Sequence, residues 1–360
     1  MAWLLGGGWV GFAAAAGLAA ILTYLLRARI ALLIDDEPVG LARRTAERLY
    51  FAHWGACLLS VVLLVPGSVL AFSGVVGIGA VAAAVYGVSL AIALYAVFIR
   101  TRLARVRTLD VFIAGLPAAF DGYRIAQLSD IHIGSLFPAG AAQRFVDATN
   151  RLDADLVALT GDYLTSGTRF HADVATLLGG LRAKDGTLAV WGNHDNYGDR
   201  EPLRSLLIER GVHLLENEST RIQRNGASLT IVGVDDIFSR RADVAASFRE
   251  VDGDSTTIAL VHDPKQFPAI ADRGAALVLT GHTHWGQVAV PLAAERVNLA
   301  RRFFRFSGGL YRVDGAYLYV HPGIGATGPP LRFGVPPEIT VIVLRSEKPQ
   351  EERNRTTRPQ

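Results

Sequence analysis

The sequence predicts an α/β domain preceded by a membrane-spanning helical region, and three observations lead there. The apolar share is 50% and the mean hydropathy is +0.28, high for a soluble chain. Between Arg48 and Arg100 lie 51 residues without Asp, Glu, Lys or Arg, against about 20 needed for one transmembrane helix. From about Asp110 the texture changes to short apolar runs separated by polar or amphipathic segments, the alternation expected of an α/β domain.

Taken in order, the stretch from Trp3 to Leu26 is uncharged and long enough to cross once. It lacks the basic start and short apolar run of a secretory signal, so it reads as an uncleaved anchor. The 51-residue run can cross twice as a hairpin turning near Ser73 and Gly74, with Pro66 and Gly67 as the alternative break. A buried soluble hairpin is the competing reading, but soluble helices of this length normally carry a polar stripe. Arg27, Arg29, Arg43, Arg44 and Arg48 precede the run, and Arg100, Arg102, Arg105 and Arg107 follow it. A hairpin puts both clusters on one side, and the positive-inside rule makes that side the cytoplasm. Residues 1–107 are therefore expected to be a multi-pass membrane anchor of about three helices, with the N-terminus outside and the following domain cytoplasmic. The single Cys57 excludes an intrachain disulfide. A balance of 36 Lys and Arg against 33 Asp and Glu leaves +3, so bulk charge implies no nucleic-acid partner. The last stretch, 346–360, is polar and without periodicity, which predicts a disordered tail.

Within residues 108–345, five runs read as buried strands: "YRIAQLS", "ADLVALT", "GTLAVW", "TTIALV" and "AALVLT". Each stops at a polar cluster: Asp130 and His132, then Gly161 and Asp162, then Asn193, His194 and Asp195, then His262 and Asp263, then His282 and His284. Ligands of open α/β sheets sit beyond the carboxyl ends of strands, so five such ends can converge on one site. In an extended segment residues i and i+2 point the same way, about 6.6 Å apart, which would aim Asp130 with His132 and His282 with His284 at one face. With Asp162, Asn193 and His262 these make seven oxygen and nitrogen donors and no thiolate. That is more than one tetrahedral zinc needs, but it suits two metals sharing a bridging carboxylate. Such ligands fit Mn, Fe or Zn. Gly161, Gly192 and Gly281 would let the backbone approach the cluster. His53, His171, His213 and His321 have no such company and read as ordinary histidines.

These residues resemble the calcineurin-like metallophosphoesterase family, whose pattern is D-x-H, G-D, G-N-H-[DE], H and G-H-x-H in that order. "GVDDIF" at Gly233–Phe238 and "PLRFGVPPEIT" at Pro330–Thr340 look like its bacterial membrane-associated branch, the YkuE- and YaeI-like phosphoesterases. The resemblance implies a four-layered α/β/β/α sandwich. It implies one metal held by Asp130, His132, Asp162 and His284, and a second by Asp162, Asn193, His262 and His282, with Asp162 bridging. It also implies a metal-bridging hydroxide as nucleophile and His194 as the acid for the leaving oxygen, with Asp195 orienting His194. One departure is Trp285, where many relatives carry glycine; a ring there is expected to narrow the substrate pocket.

Arg301, Arg302 and Arg305 are interleaved with Phe303, Phe304 and Phe306. They read either as a solvated loop or as a surface for anionic lipid headgroups or a phosphorylated lipid substrate. The expected function is hydrolysis of a phosphodiester or pyrophosphate, with a lipid-linked phosphoester as one candidate substrate. The alternatives are a hydrolase of soluble or cyclic nucleotides and a non-catalytic metal-binding module.

Overall fold

The computed structural model describes residues 37–347 apart from 73, 75 and 254, together with scattered positions between 9 and 29. The first expected crossing thus lies largely outside the described residues, as do Ser73 and the tail from 348.

Two long apolar helices lead into the domain. Helix α1 spans Leu41–Phe72 and α2 spans Ile78–Leu94, extended by one wide turn, Tyr95–Ile99, and a tight one, Arg100–Arg102. Leu41–Val69 and Ile78–Arg102 are long and apolar enough to cross a membrane. Only 17% and 22% of their most apolar windows are buried, so the apolar surface faces outward, opposite to a soluble core hairpin. The chain does not break at Pro66; α1 runs through it and the connection carries Gly74 at φ +74°. The helices lie antiparallel: His53 bonds the Tyr86 hydroxyl at 2.8 Å, and the small residues Gly55 and Gly67 lie against Ala93 and Val81. The arginines at the start of α1 and the end of α2 consequently share one end. There Arg44 Nε donates to the Ser135 carbonyl at 2.8 Å and Arg48 Nη2 to the Leu136 carbonyl at 2.8 Å, tying the hairpin to the domain.

The domain holds two six-stranded sheets. The first runs β1 (Arg105–Ile113), β12 (Glu338–Ser346), β2 (Arg124–Leu128), β3 (Leu156–Thr160), β4 (Thr187–Val190), β5 (Val212–Leu214). The second runs β10 (Gly309–Val313), β11 (Ala316–Val320), β9 (Leu277–Thr280), β8 (Thr256–Leu260), β7 (Ala227–Gly233), β6 (Glu218–Arg224). The five expected strands are β2, β3, β4, β8 and β9. The sheet takes up the chain at Arg105, inside the stretch expected to be anchor, and β12 lies between β1 and β2, parallel to one and antiparallel to the other.

Side chains alternate along each strand, and the two faces bury against different layers. Leu156 and Ala158 of β3 meet Ile231, Ile258 and Leu277 between the sheets. Val157 and Leu159 point outward to Phe145, Val174 and Leu203 on helices α3 (Ala139–Asn150), α4 (His171–Leu178) and α5 (Glu201–Glu209). On the far side Val232, Ala259 and Val278 pack under Phe267 and Ile270 of α7 (Phe267–Ala271), in the layer that also holds α6 (Val244–Ser247). The result is the four-layered α/β/β/α sandwich. Strands β2, β3 and β4 are parallel, as are β7, β8, β9 and β11, so each set ends along one edge. Beneath that edge Gln127 Nε2 links the sheets, donating to Thr160 Oγ1 at 3.0 Å and to the Thr280 carbonyl at 2.9 Å.

Candidate metal centre

The expected donors gather where β2, β3, β4, β8 and β9 end. They do not get there by extended pleating. Asp130 has φ +52°, His132 +51°, Asp162 +57°, His282 +71° and His284 +50°, all left-handed. The correction has a physical cause: a strand would carry the chain past the site, whereas left-handed residues at alternate positions turn it back. Each costs on the order of 1–2 kcal/mol, and Asp, Asn and His tolerate it best among residues with a side chain. The turns brace one another. Asp130 N–H donates to the Gly161 carbonyl at 2.9 Å, His132 N–H to the Asp162 carbonyl at 3.0 Å, and His282 N–H to Asp130 Oδ1 at 3.0 Å. The glycines serve close approach: a Cβ at Gly281 would lie 2.2 Å from Asp130 Oδ2, and one at Gly192 would lie 2.2 Å from Asp162 Oδ1.

Donor atoms fall into two buried groups joined by one carboxylate. Asp130, His132 and His284 form one, and Asp162, His262 and His282 the other, while His194 makes an overlapping trio with His132 and Asp162. In the first, His132 Nε2 is 2.9 Å from His284 Nε2, which is 3.3 Å from Asp130 Oδ1. In the second, His282 Nδ1 is 3.2 Å from His262 Nε2 and 3.0 Å from Asn193 Oδ1. Asp162 Oδ2 reaches both, 3.2 Å from His262 Nε2 and 3.6 Å from His132 Nε2. Two ligands each about 2.1 Å from an ion, at angles of 90° to 110°, stand about 3.0–3.4 Å apart, so these spacings fit donors converging on cations. The electrostatics agree. Burial pushes His132 down to about 3, and burial with neighbouring His132 holds His284 well below its ordinary value, leaving both neutral with free lone pairs. Burial alone would lower His262 too, but Asp162 and Asp130 outweigh it and raise it to about 10. The carboxylates thus demand a positive charge that a divalent ion can supply.

Behind the donors stand residues that set their orientation. His262 Nδ1–H meets the Thr160 carbonyl at 2.7 Å, presenting Nε2 to Asp162. Asn193 Nδ2 donates to the Tyr197 hydroxyl at 2.8 Å, which turns Oδ1 toward His282. Buried Arg332 donates to the carbonyls of Gly325 at 2.8 Å and Pro322 at 2.9 Å, holding the loop beside His284. Sequence reasoning did not single out Tyr197, and it read Arg332 only as part of a branch motif. The four-residue spacing from Asn193 to Tyr197 was the available signal.

His194 lies beside the first group, its ring 4.7 Å from that of His132, and its Nδ1 meets the Thr165 carbonyl at 2.5 Å. Asp195 was expected to orient this ring. Its carboxylate instead accepts backbone N–H groups from Asp162 at 2.9 Å, Tyr163 at 2.8 Å, Leu164 at 3.2 Å and Gly192 at 2.9 Å, pinning the β3 and β4 loops together. The ring is oriented by Thr165. Trp285 also departs from expectation. At φ +50° its indole turns into the interior against Ala289 and Val335, with Nε1–H donating to the Val320 carbonyl at 2.7 Å, because a buried indole needs that partner. It does not line the cavity of 410 Å³ that includes His132 and His194.

Arg301, Arg302 and Arg305 are exposed and outside that cavity. Arg301 Nη1 donates to the Arg296 carbonyl at 2.7 Å, and Arg305 lies over the Phe306 ring at 5.1 Å. Their segment exposes Leu292, Val297, Leu299 and Phe303, and it shares a cleft with Tyr95 and Arg100 of the hairpin. Closer to the metal groups, Lys265 lies over Phe238 and Phe304, both of which pack on the His282 ring. Lys265 was not foreseen, although it follows His262 by three positions. His53, His171, His213 and His321 join neither donor group among the described residues.

The sequence profile of the family described as Calcineurin-like phosphoesterase matches residues 123–286. The Bacillus subtilis protein "Uncharacterized metallophosphoesterase YkuE" is 31% identical over 235 residues, covering 64% of this chain and 82% of its own length. YkoQ, another uncharacterized metallophosphoesterase from the same organism, is 30% identical, covering 63% of this chain and 84% of its own length. A Bos taurus "Transmembrane protein with metallophosphoesterase domain" is 32% identical over 261 residues, which are 67% of this chain but only 57% of that protein.

Proposed function

The chain belongs to the calcineurin-like metallophosphoesterase family, hydrolases of phosphoric esters, and on that premise we propose a membrane-anchored enzyme that cleaves a phosphodiester or pyrophosphate in a lipid-linked substrate. In this reading residues 1–107 anchor the chain, residues 108–345 carry the chemistry, and the catalytic part faces the cytoplasm. The observation that carries it is the pair of donor groups joined at Asp162, one member of which, His132, lines a cavity that the hairpin helices also line.

Asp130, His132, Asp162 and His284 would hold one divalent ion, and Asp162, Asn193, His262 and His282 the other. When bound, such a pair neutralises charge on phosphoryl oxygens and lowers the pKa of a bound water to about 7. The chain's own residues do the rest. His194 Nδ1–H donates to the Thr165 carbonyl, so Nε2 is the atom that exchanges a proton with the leaving oxygen. The His132 and Tyr197 rings, 4.7 and 4.6 Å from it, confine the imidazole to that orientation. Asp195 acts through the backbone, fixing the amides around Asp162. Arg301, Arg302 and Arg305 face anionic headgroups, and the exposed Leu292, Leu299 and Phe303 beside them suit a membrane surface.

The test is hydrolysis by the purified full chain with Mn²⁺, offered lipid phosphoesters in mixed micelles and nucleotide phosphoesters in solution. Metal-dependent turnover preferring the lipid esters is expected. Turnover confined to nucleotides would refute the substrate class, and none with Mn, Fe or Zn would refute the enzymatic reading.

A further inference from the structure

The cavity lined by His132 and His194 is also lined by Arg48 of α1 and Thr101 at the end of α2, with Leu136, Phe137, Ala326 and Pro330 among its walls. It therefore touches both the metal centre and the membrane helices. Arg48 is only 7% exposed. Its Nη2 donates to the Leu136 carbonyl, and its Nε–H, without a hydrogen-bond partner, is enclosed by protein rather than open to the cavity. The charged groups that act on it are Arg102, Arg44 and Arg144, cations all. A nearly buried guanidinium at a cavity wall, among like charges, is costly unless an anion in the cavity offsets it. Guanidinium donors match phosphoryl oxygens especially well.

We infer that this cavity binds an amphiphilic phosphoester, Arg48 pairing with an anionic phosphoryl oxygen while the alkyl chain lies along Leu136, Phe137 and Pro330. The inference rests on the phosphoesterase reading above and adds to it the site and the kind of molecule. A nucleotide or free phosphate would satisfy Arg48 but leave the apolar walls in contact with water. A lipid satisfies both, and the outward apolar faces of α1 and α2 place the cavity beside the bilayer from which such a molecule would come.

The test uses the full chain in lipid nanodiscs and a hexadecyl phosphate bearing a photoactivatable diazirine on its chain, with labelled peptides mapped by mass spectrometry. Label is expected on Leu136, Phe137 or Ala326, displaced by unlabelled hexadecyl phosphate and not by equal inorganic phosphate. Arg48→Gln should reduce it at least about tenfold, the loss of one charge-assisted hydrogen bond, while Arg48→Lys retains most of it. Ala326→Trp, which fills the cavity while keeping the Arg48 side chain, should also abolish it, so the result does not hang on one variant. Label confined to lipid-facing positions such as Val61 and Val65, unchanged in Arg48→Gln and Ala326→Trp, would overturn the site. Displacement by inorganic phosphate as effective as by the lipid would overturn the amphiphile. Labelling needs no turnover: cavity label without hydrolysis would sink the phosphoesterase reading alone, and hydrolysis of small esters without cavity label would sink this site alone.

Discussion

His194 is fixed by one carbonyl and two rings; it stands within reach of His132 and Asp162 but belongs to neither of the two groups that Asp162 joins through His262 and His132. His194→Ala is therefore expected to keep two metals per chain while turnover falls by about 10² to 10⁴, the loss typical of a general acid; elemental analysis beside kcat checks both halves. Asp162→Asn should behave differently, because the charge shared by both groups disappears. Metal content should drop below two per chain, and two full equivalents in that variant would rule out bridging. Tyr197→Phe removes the acceptor that turns Asn193 Oδ1 inward. Mn²⁺ affinity should weaken about tenfold, as for a lost orienting partner, when titrated in a metal buffer. An unchanged affinity would mean that Asn193 needs no such hold.

At the scale of elements, the site is built from strand ends that coil back rather than continue. Gly281 and Gly192 leave their neighbours' carboxylates no slack, so Gly281→Ala should cost about 1–3 kcal/mol through overpacking, read from thermal unfolding in detergent. A variant as stable as the parent would show that the Asp130 turn can yield. The segment bearing Arg301, Arg302 and Arg305 packs on the His284 turn through Leu299 and Ala300 but exposes the three arginines to solvent. Replacing all three with Gln should weaken activity on a lipid phosphoester in anionic vesicles by roughly a hundredfold, at about 1 kcal/mol per basic residue, and leave a small chromogenic diester unaffected. Equal losses on both substrates would assign the arginines a structural role instead.

On the scale of the whole molecule, the hairpin and the sandwich meet through Arg44, Arg48 and the Ala96 carbonyl that accepts Arg332 N–H at 3.2 Å. Both basic clusters sit at that meeting. A reporter fused after Arg107 should accordingly read cytoplasmic; an external signal would reverse the sidedness and exclude cytoplasmic substrates. Some of this architecture was legible and some was not. Strands β2, β3, β4, β8 and β9 are continuous apolar runs because both faces are buried, and such runs are visible in composition. The hairpins β6–β7 and β10–β11 were passed over although Asn225–Gly226 and Asp314–Gly315 carry the positive φ of tight turns, because one strand of each, β6 and β10, is half-exposed and mixed in polarity and lacks the apolar signature of its partner. β12 could not be placed, since its partners lie more than two hundred residues earlier in the chain.

From residue types and spacing alone came the two long apolar helices among the described residues, the α/β texture and the order of seven donors at strand ends. Those properties are local: hydropathy and periodicity act within a few residues, and a donor's chemistry travels with its side chain. Tertiary structure decided where the side chains point. Asp130 and His284 converge through left-handed turns, Asp195 serves backbone amides, Trp285 turns inward, and Arg48 reaches a cavity shared with His132. In a non-repeating loop the backbone angles are set by whatever packs against it. Here those neighbours come from distant strands and from the hairpin, so no local pattern could carry the information.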